Sequence, residues 1–150
     1  MSEAERSSET RQYITFMAND QEYAANIMAI REIRGWTDTT ALPHVPAYVR
    51  GVINLRGTVL PVVDLRARLG QGMTEASAKH VIIVVHDGAR NIGMLVDAVS
   101  DILTLSSKEV QPPPDIMDAG DDAYIEGIAV LDGRMVTLLS TSSITAGLAA

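Results

Sequence analysis

The chain repeats itself, and this constrains its fold more than any single motif does. Ala47 to Asp64 reads AYVRGVINLRGTVLPVVD, and Ala123 to Ser140 reads AYIEGIAVLDGRMVTLLS. The stretches align without a gap and share Ala47/Ala123, Tyr48/Tyr124, Gly51/Gly127, Leu55/Leu131 and Gly57/Gly133. Val49/Ile125, Val52/Ile128 and Val62/Leu138 exchange one aliphatic residue for another. A second match precedes each stretch: Ile27 to Ile33 lies over Val96 to Ile102, both reading aliphatic, x, Ala, aliphatic, x, acidic, Ile. Two matches in the same order predict two structural copies, approximately 12–70 and 80–139, joined by a small-residue linker over 71–79.

Each copy reads as strands. Tyr13 to Met17 is β-branched and aromatic with period-two alternation, Asn19-Asp20 supplies a turn, and Glu22 to Ala25 returns. Val81 to Val85 turns at Asp87-Gly88 and returns through Asn91 to Val96. Gly51 to Leu55 turns at Arg56-Gly57 into Thr58 to Val63, and Gly127 to Leu131 turns at Asp132-Gly133 into Met135 to Leu139. Pro61 cannot donate to a ladder, so its strand is expected at an edge or with a bulge. Helices are expected to be short. Pro46 starts a turn of helix through Arg50. Asp64 caps Leu65 to Leu69, which Gly70 stops, and Ser140 or Thr141 caps a C-terminal helix ending in Ala150. Many short strands with Gly turns in about 60 residues indicate a small barrel, and two copies indicate two barrels. Barrels that thin are expected to share an apolar interface.

Composition agrees. The 150 residues hold 39 Val, Ile and Leu but only 4% aromatics, so aliphatic side chains build the core of a single domain over 1–150. The polar residues 1–10 read as a flexible tail with no signal-peptide apolar region. The absence of cysteine excludes a disulfide framework, a thiol nucleophile and thiolate metal sites. The net charge is −7 and no basic stripe exists, which argues against nucleic acid and anionic membrane as partners. The longest apolar run, Val81 to Val85, is far short of a membrane span. A cytoplasmic protein with no direct membrane insertion is the expectation.

No catalytic constellation emerges. His80 and His86 flank one strand too far apart to share a metal or a proton, and His44 lies in a loop, so all three read as surface histidines. Gly70-Gln71-Gly72 lacks the lysine of a phosphate loop. Asp64 reads better as a cap than as half of a carboxylate pair with Asp97, which is placed to satisfy backbone donors. Asp115, Asp118, Asp121 and Asp122 follow Pro112 to Pro114 without the spacing of a calcium loop. What remains is surface for partners. Arg56 sits at a rigid hairpin tip, suited to a bidentate carboxylate contact, and Trp36 is either core or interface.

Pro46 to Gly57 (PAYVRGVINLRG), followed by Val59 to Arg66 (VLPVVDLR), resembles the CheW family, the coupling proteins of bacterial chemotaxis. Glu32 to Gly35, Gly93 to Val99, the Pro-rich loop, Tyr124 to Gly127 and Leu131 to Arg134 match that family as well, so the resemblance runs from about Gln12 to Leu139. It implies a mainly β fold: two small five-stranded SH3-like β-barrels packed together, with short helices including one at the C-terminus. It implies a non-catalytic adaptor without cofactor or metal. Such a protein joins chemoreceptor cytoplasmic hairpin tips to the regulatory domain of the histidine kinase CheA and is cytoplasmic, recruited to membrane receptor arrays. By residue match, it implies a receptor-binding groove at Ile30, Gly51, Arg56, Val81, Ile82, Gly93, Val99 and Ile102, and kinase or ring contacts at Glu32, Ile33, Asp115 and Ile116. Arg56 is expected to pair with Glu32. One departure is Ser140, where family members often carry an acid after the last strand. Competing readings are a coupling protein of another chemosensory pathway, for pilus motility or gene regulation, and a small acid-dependent or metal-dependent enzyme using Asp64, Asp97 or the acidic loop.

Overall fold

The computed structural model describes residues 10–86, 88, 90–113 and 124–146. The expected positions Asp115 and Ile116 therefore lie outside the described residues, as does the end of the expected C-terminal helix. Eleven strands form two sheets among the described residues: β1 (Thr10–Ala18), β2 (Gln21–Asn26), β3 (Ile30–Gly35), β4 (Val49–Leu55), β5 (Thr58–Asp64), β6 (Val81–His86), β7 (Asn91–Val96), β8 (Ala98–Ser106), β9 (Val110–Gln111), β10 (Ile125–Leu131) and β11 (Arg134–Leu139). Two short helices follow the last hairpin of each copy, α1 (Leu65–Arg68) and α2 (Thr141–Thr145).

The first sheet has the order β8-β1-β2-β11-β10-β9 and the second β3-β6-β7-β5-β4. These are the two small barrels expected, the first gaining a sixth strand from the two-residue β9. The copies do not coincide with the barrels. The first two strands of each copy sit beside the later strands of the other, so the copies have exchanged their opening hairpins. The chain crosses between sheets at the 3-10 turn Ile27–Ala29 and again at Asp97. Likeness between segments marks them as equivalent but does not say which of them pair. The exchange obeys the repeat. β11 lies parallel to β2 as β5 lies parallel to β7, and the β10–β11 register shifts between Ile125 and Gly127 as β4–β5 shifts between Val49 and Gly51. Tyr48 O accepts from Asp64 N–H at 2.7 Å, and Tyr124 O from Ser140 N–H at 2.9 Å.

Strand alternation sorts side chains into three apolar layers. Ile82 and Val84 face the second barrel's interior with Ile53, Leu55, Leu60, Val62 and Leu95. Ile83 and Val85 face the layer between the barrels, with Phe16, Tyr23, Met94, Val96 and Leu139. Tyr13, Ala24, Leu105, Ala129, Val136 and Leu138 fill the first barrel. Burial on both faces explains why Val81 to Val85 is continuously apolar. The layer between the barrels holds 13 buried residues and the two interiors hold 7 and 6, so the shared interface is as large as both interiors combined.

Local expectations fare unevenly. Asp64 caps α1 by accepting from Ala67 N–H, and Ser140, not Thr141, caps α2 by accepting from Ser143 N–H. Arg56-Gly57 and Asp132-Gly133 both have positive φ at two successive residues, as tight hairpins require. Pro46 starts no helix: Val49 N–H bonds Pro46 O in a single turn and β4 begins at once. Pro61 is not on an edge strand, but pairing of β5 with β7 starts only at Val62, so its missing donor falls outside that ladder. Residues 71–79, expected to link the copies, are held against the second barrel at two points. Thr74 is buried, donating its N–H and Oγ1 to the two oxygens of Asp64, and Ala76 packs against the second barrel's interior.

Candidate functional site

The second barrel ends in the β4–β5 hairpin, where Arg56 adopts φ 51° and Gly57 N–H bonds Asn54 Oδ1. From this support Arg56 Nη2 reaches Glu32 Oε1 on β3. β3 and β4 are opposite edges of the sheet, so the pair ties the hairpin tip to the far edge, on the side where the Thr40–Val52 backbone bridge also joins the segment after β3 to β4. The hydrogen bond from Arg56, chiefly, holds the Glu32 carboxyl below its ordinary range, and the carboxylate in turn raises the Arg56 guanidinium. Beside the pair lies a recess of about 210 Å³, lined by Glu32, Leu55, Arg56, Thr58, Leu60 and Asn91. Thr58, Leu60 and Asn91 are shared with a larger recess of about 490 Å³ that reaches Val59, Pro61 and His86. Ile33, on the next position of β3, is exposed. The expected pair thus forms, and it brings together two residues that the resemblance assigns to different partners.

Ile30, Val81 and Val99 are partly buried and pack against the layer between the barrels, so an apolar seam reaches the surface from that layer. Ile30 and Val99 are equivalent positions of the repeat, one from the edge strand of each sheet. Val81 lies at the far end of the β3–β6 pair from Ile30. Ile102, on β8, is 56% exposed. Ile82, expected in the groove, is fully buried inside the second barrel. Gly93 faces the same interior, where a Cβ would meet Ile82 Cγ2 at 2.9 Å. Gly51 has φ +136°, and a Cβ there would fall 2.2 Å from Thr40 O. Both glycines sit where a side chain would collide with its neighbours.

The carboxylates are engaged in structure. Asp64 is fully buried and accepts from Arg50 Nη1, Thr74 and Ala67, while Arg50 also donates to Thr74 O and lies over the Trp36 ring. Asp97 Oδ2 accepts from Asn19 N–H at 2.9 Å, the backbone role expected of it, and Asp97 Oδ1 lies 3.3 Å from His80 Nε2. His80 is therefore not a free surface group: its ring is largely covered, and its Nδ1 accepts from Ser77 N–H. Asp64 and Asp97 belong to separate networks, not to one pair. Among the described residues no group of three acids or histidines is placed to hold a metal ion, and no helix is long and apolar enough to cross a membrane.

Three arrangements escaped the sequence. Arg134 Nε lies 3.4 Å from Glu22 Oε1 and its Nη2 3.8 Å from Asp101 Oδ1. Asp101 is the repeat equivalent of Glu32, so each barrel ties a hairpin arginine to an acid on its edge strand. Arg50 reaches the buried Asp64, and Arg68 lies against both Tyr48 and Tyr124. The identity of Tyr48 and Tyr124 in the repeat was the available signal for the last.

Comparison with known proteins bears on what such a surface does. The CheW-like domain family model matches residues 12–148. A protein named Chemotaxis protein CheW from Rhizobium meliloti (strain 1021) is 52% identical over 134 residues, 89% of this chain and 86% of that one. The Chemotaxis protein CheW of Klebsiella aerogenes is 33% identical over 129 residues, 86% of this chain and 78% of that one. The crystal structure of the scaffolding protein TtCheW from Thermoanaerobacter tengcongensis superposes with a TM-score of 0.82 at 29% identity, covering 91% of this chain and 92% of that one.

Proposed function

The chain belongs to the CheW-like domain family, and from that premise we propose that it couples chemoreceptor cytoplasmic hairpin tips to the regulatory domain of the histidine kinase CheA, acting as a non-catalytic adaptor at receptor arrays. The observation that carries this reading is the seam between the barrels. There Ile30 and Val99, one from each sheet, bring the central apolar layer to the surface. A receptor helix laying its apolar positions along such a seam makes a helix-in-groove contact. Arg56 on the second barrel's hairpin tip, for the receptor side, and Glu32 on its edge strand, for the kinase side, form a charged surface where the two contacts meet, and Ile33, the next residue of β3, is exposed as well.

The test is reconstitution. Purified protein is mixed with its own CheA and receptor cytoplasmic fragments, then assayed for co-sedimentation and kinase autophosphorylation. Co-sedimentation with both and a change in kinase rate are expected. Binding to neither overturns the reading. Motility of a deletion strain separates a chemotaxis output from pilus motility or gene regulation.

A further inference from the structure

We propose that Arg68 pins the two barrels in one relative orientation and so sets the geometry of any surface that spans both. The last clause rests on the coupling function above; the pin itself does not.

Arg68 ends α1, the helix that follows β5 of the second barrel. Its guanidinium lies 4.3 Å from the ring centroid of Tyr48 and 5.0 Å from that of Tyr124. Its Nε–H donates to Ile144 O, on α2 after the last strand of the first barrel, at 2.8 Å. Tyr48 belongs to the second barrel and Tyr124 to the first. The arginine therefore bridges the barrels by two ring contacts and one hydrogen bond. Among the described residues no carboxylate pairs with it.

The repeat shows why this position matters. Tyr48 and Tyr124 are equivalent, and so are Arg68 and Ile144, both pairs offset by 76 residues. Contacts between equivalent residues occur where the approximate two-fold relating the copies passes. Symmetry there would place two like side chains against each other. Instead one copy supplies a cation and the other a fully buried isoleucine with its backbone carbonyl turned to that cation. The rest of the joint is largely apolar, its other polar ties being Gln71 Nε2 donating to Tyr23 Oη at 3.1 Å and Asp97 held between Asn19 and His80. Apolar burial is non-directional: it holds the barrels together without selecting one rotation between them. The cation–ring contacts and the hydrogen bond are directional and supply that selection.

The chain has no cysteine, so spin labels at Val59→Cys and Met135→Cys are unique. Both positions are exposed, equivalent in the repeat, and carried by different barrels. The distance distribution between the labels, measured by electron-electron double resonance on the full chain, should be narrow with Arg68 present. Arg68→Met should broaden it about twofold or move its centre. Arg68→Lys, which keeps the charge but loses the planar stacking and the Nε donor, should fall between. Tyr124→Leu, with Arg68 intact, should broaden it too and serves if Arg68→Met fails to fold. Unchanged distributions in folded Arg68→Met, or in Arg68→Lys and Tyr124→Leu, overturn the pin. The measurement needs no partner, so failure of the coupling function would leave it untouched. Where receptor fragments bind, Arg68→Met should weaken them about three- to tenfold.

Discussion

Arg56 and Glu32 stand 24 residues apart and meet with Nη2 2.5 Å from Oε1, joining a hairpin tip at one edge of the second sheet to a strand at the other. The pair is exposed on the arginine side. Exposed ion pairs contribute little to folding, so its value lies in orienting the tip. Arg56→Glu is expected to weaken binding to the cognate kinase or receptor fragment by about tenfold while leaving the thermal midpoint nearly unchanged. Titration calorimetry beside a melting curve checks this. A large drop in the melting point would make Arg56 structural.

The same pair gives a pH dependence. The Glu32 carboxyl is held low in the folded chain, mainly by the Arg56 hydrogen bond. Its tie is therefore fully present above the unfolded carboxylate range and is lost as pH falls through the lower folded value. Following the Glu32 side-chain carbonyl by carbon NMR should give a midpoint below that of an ordinary glutamate. Arg56→Gln should move that midpoint upward, toward the ordinary one, while the charge of Arg34 stays.

Tyr13 titrates in the opposite sense. Burial in the first barrel, and then the charge of Glu126, raise its phenol above the usual 10.0, with Arg11 opposing. A raised folded value means stability fully present below the unfolded value and lost as pH rises through the folded one. Ultraviolet difference titration should show a late-ionising component above the ordinary phenol range, and Tyr13→Phe should remove it. Urea midpoints should fall above about pH 10 in the parent and fall less in the variant.

How far the fold was legible can be read from particular residues. The turns at Arg56-Gly57 and Asp132-Gly133 announce their own backbone, and the repeat announces two units. Pairing is non-local, and nothing in Val96-Asp97-Ala98 declares that the chain changes sheet there. The site shows the same division. Ile82 and Gly93 lie in a strand pair apolar on both faces, so alternation could not tell the barrel interior from the seam. Asp64 announced a helix cap, whereas its partners Arg50 and Thr74 are 14 and 10 residues away and come together only through the fold.

That network makes a sharp stability prediction. Asp64 is fully buried, with both oxygens bonded, and Arg50 is only 21% exposed. Asp64→Ala uncaps α1, frees the strap at Thr74 and leaves the Arg50 charge without its partner. Breaking a buried pair from one side costs about 3–5 kcal/mol. Urea denaturation should show a loss of that size. Thr74→Val, which removes only the hydroxyl donor, should cost about 1–2 kcal/mol.

Exchange of opening hairpins between the copies means that neither barrel is made from one continuous segment. The first barrel needs β1 and β2 from the chain's start and β8 to β11 from its end, while the second is threaded between them. Unfolding either barrel releases strands whose other faces form the layer between the barrels, 13 buried residues deep in apolar contacts. The two barrels should therefore unfold as one unit. Calorimetry should give a single transition with matching calorimetric and van't Hoff enthalpies, about 90 kcal/mol near 60 °C for the described residues. The stronger check places a cavity in one barrel at a time. Ile82→Ala in the second and Leu138→Ala in the first should each lower stability by about 2–5 kcal/mol. Neither should split the transition. Two resolved transitions, with only one moved by each variant, would show that the barrels fold independently.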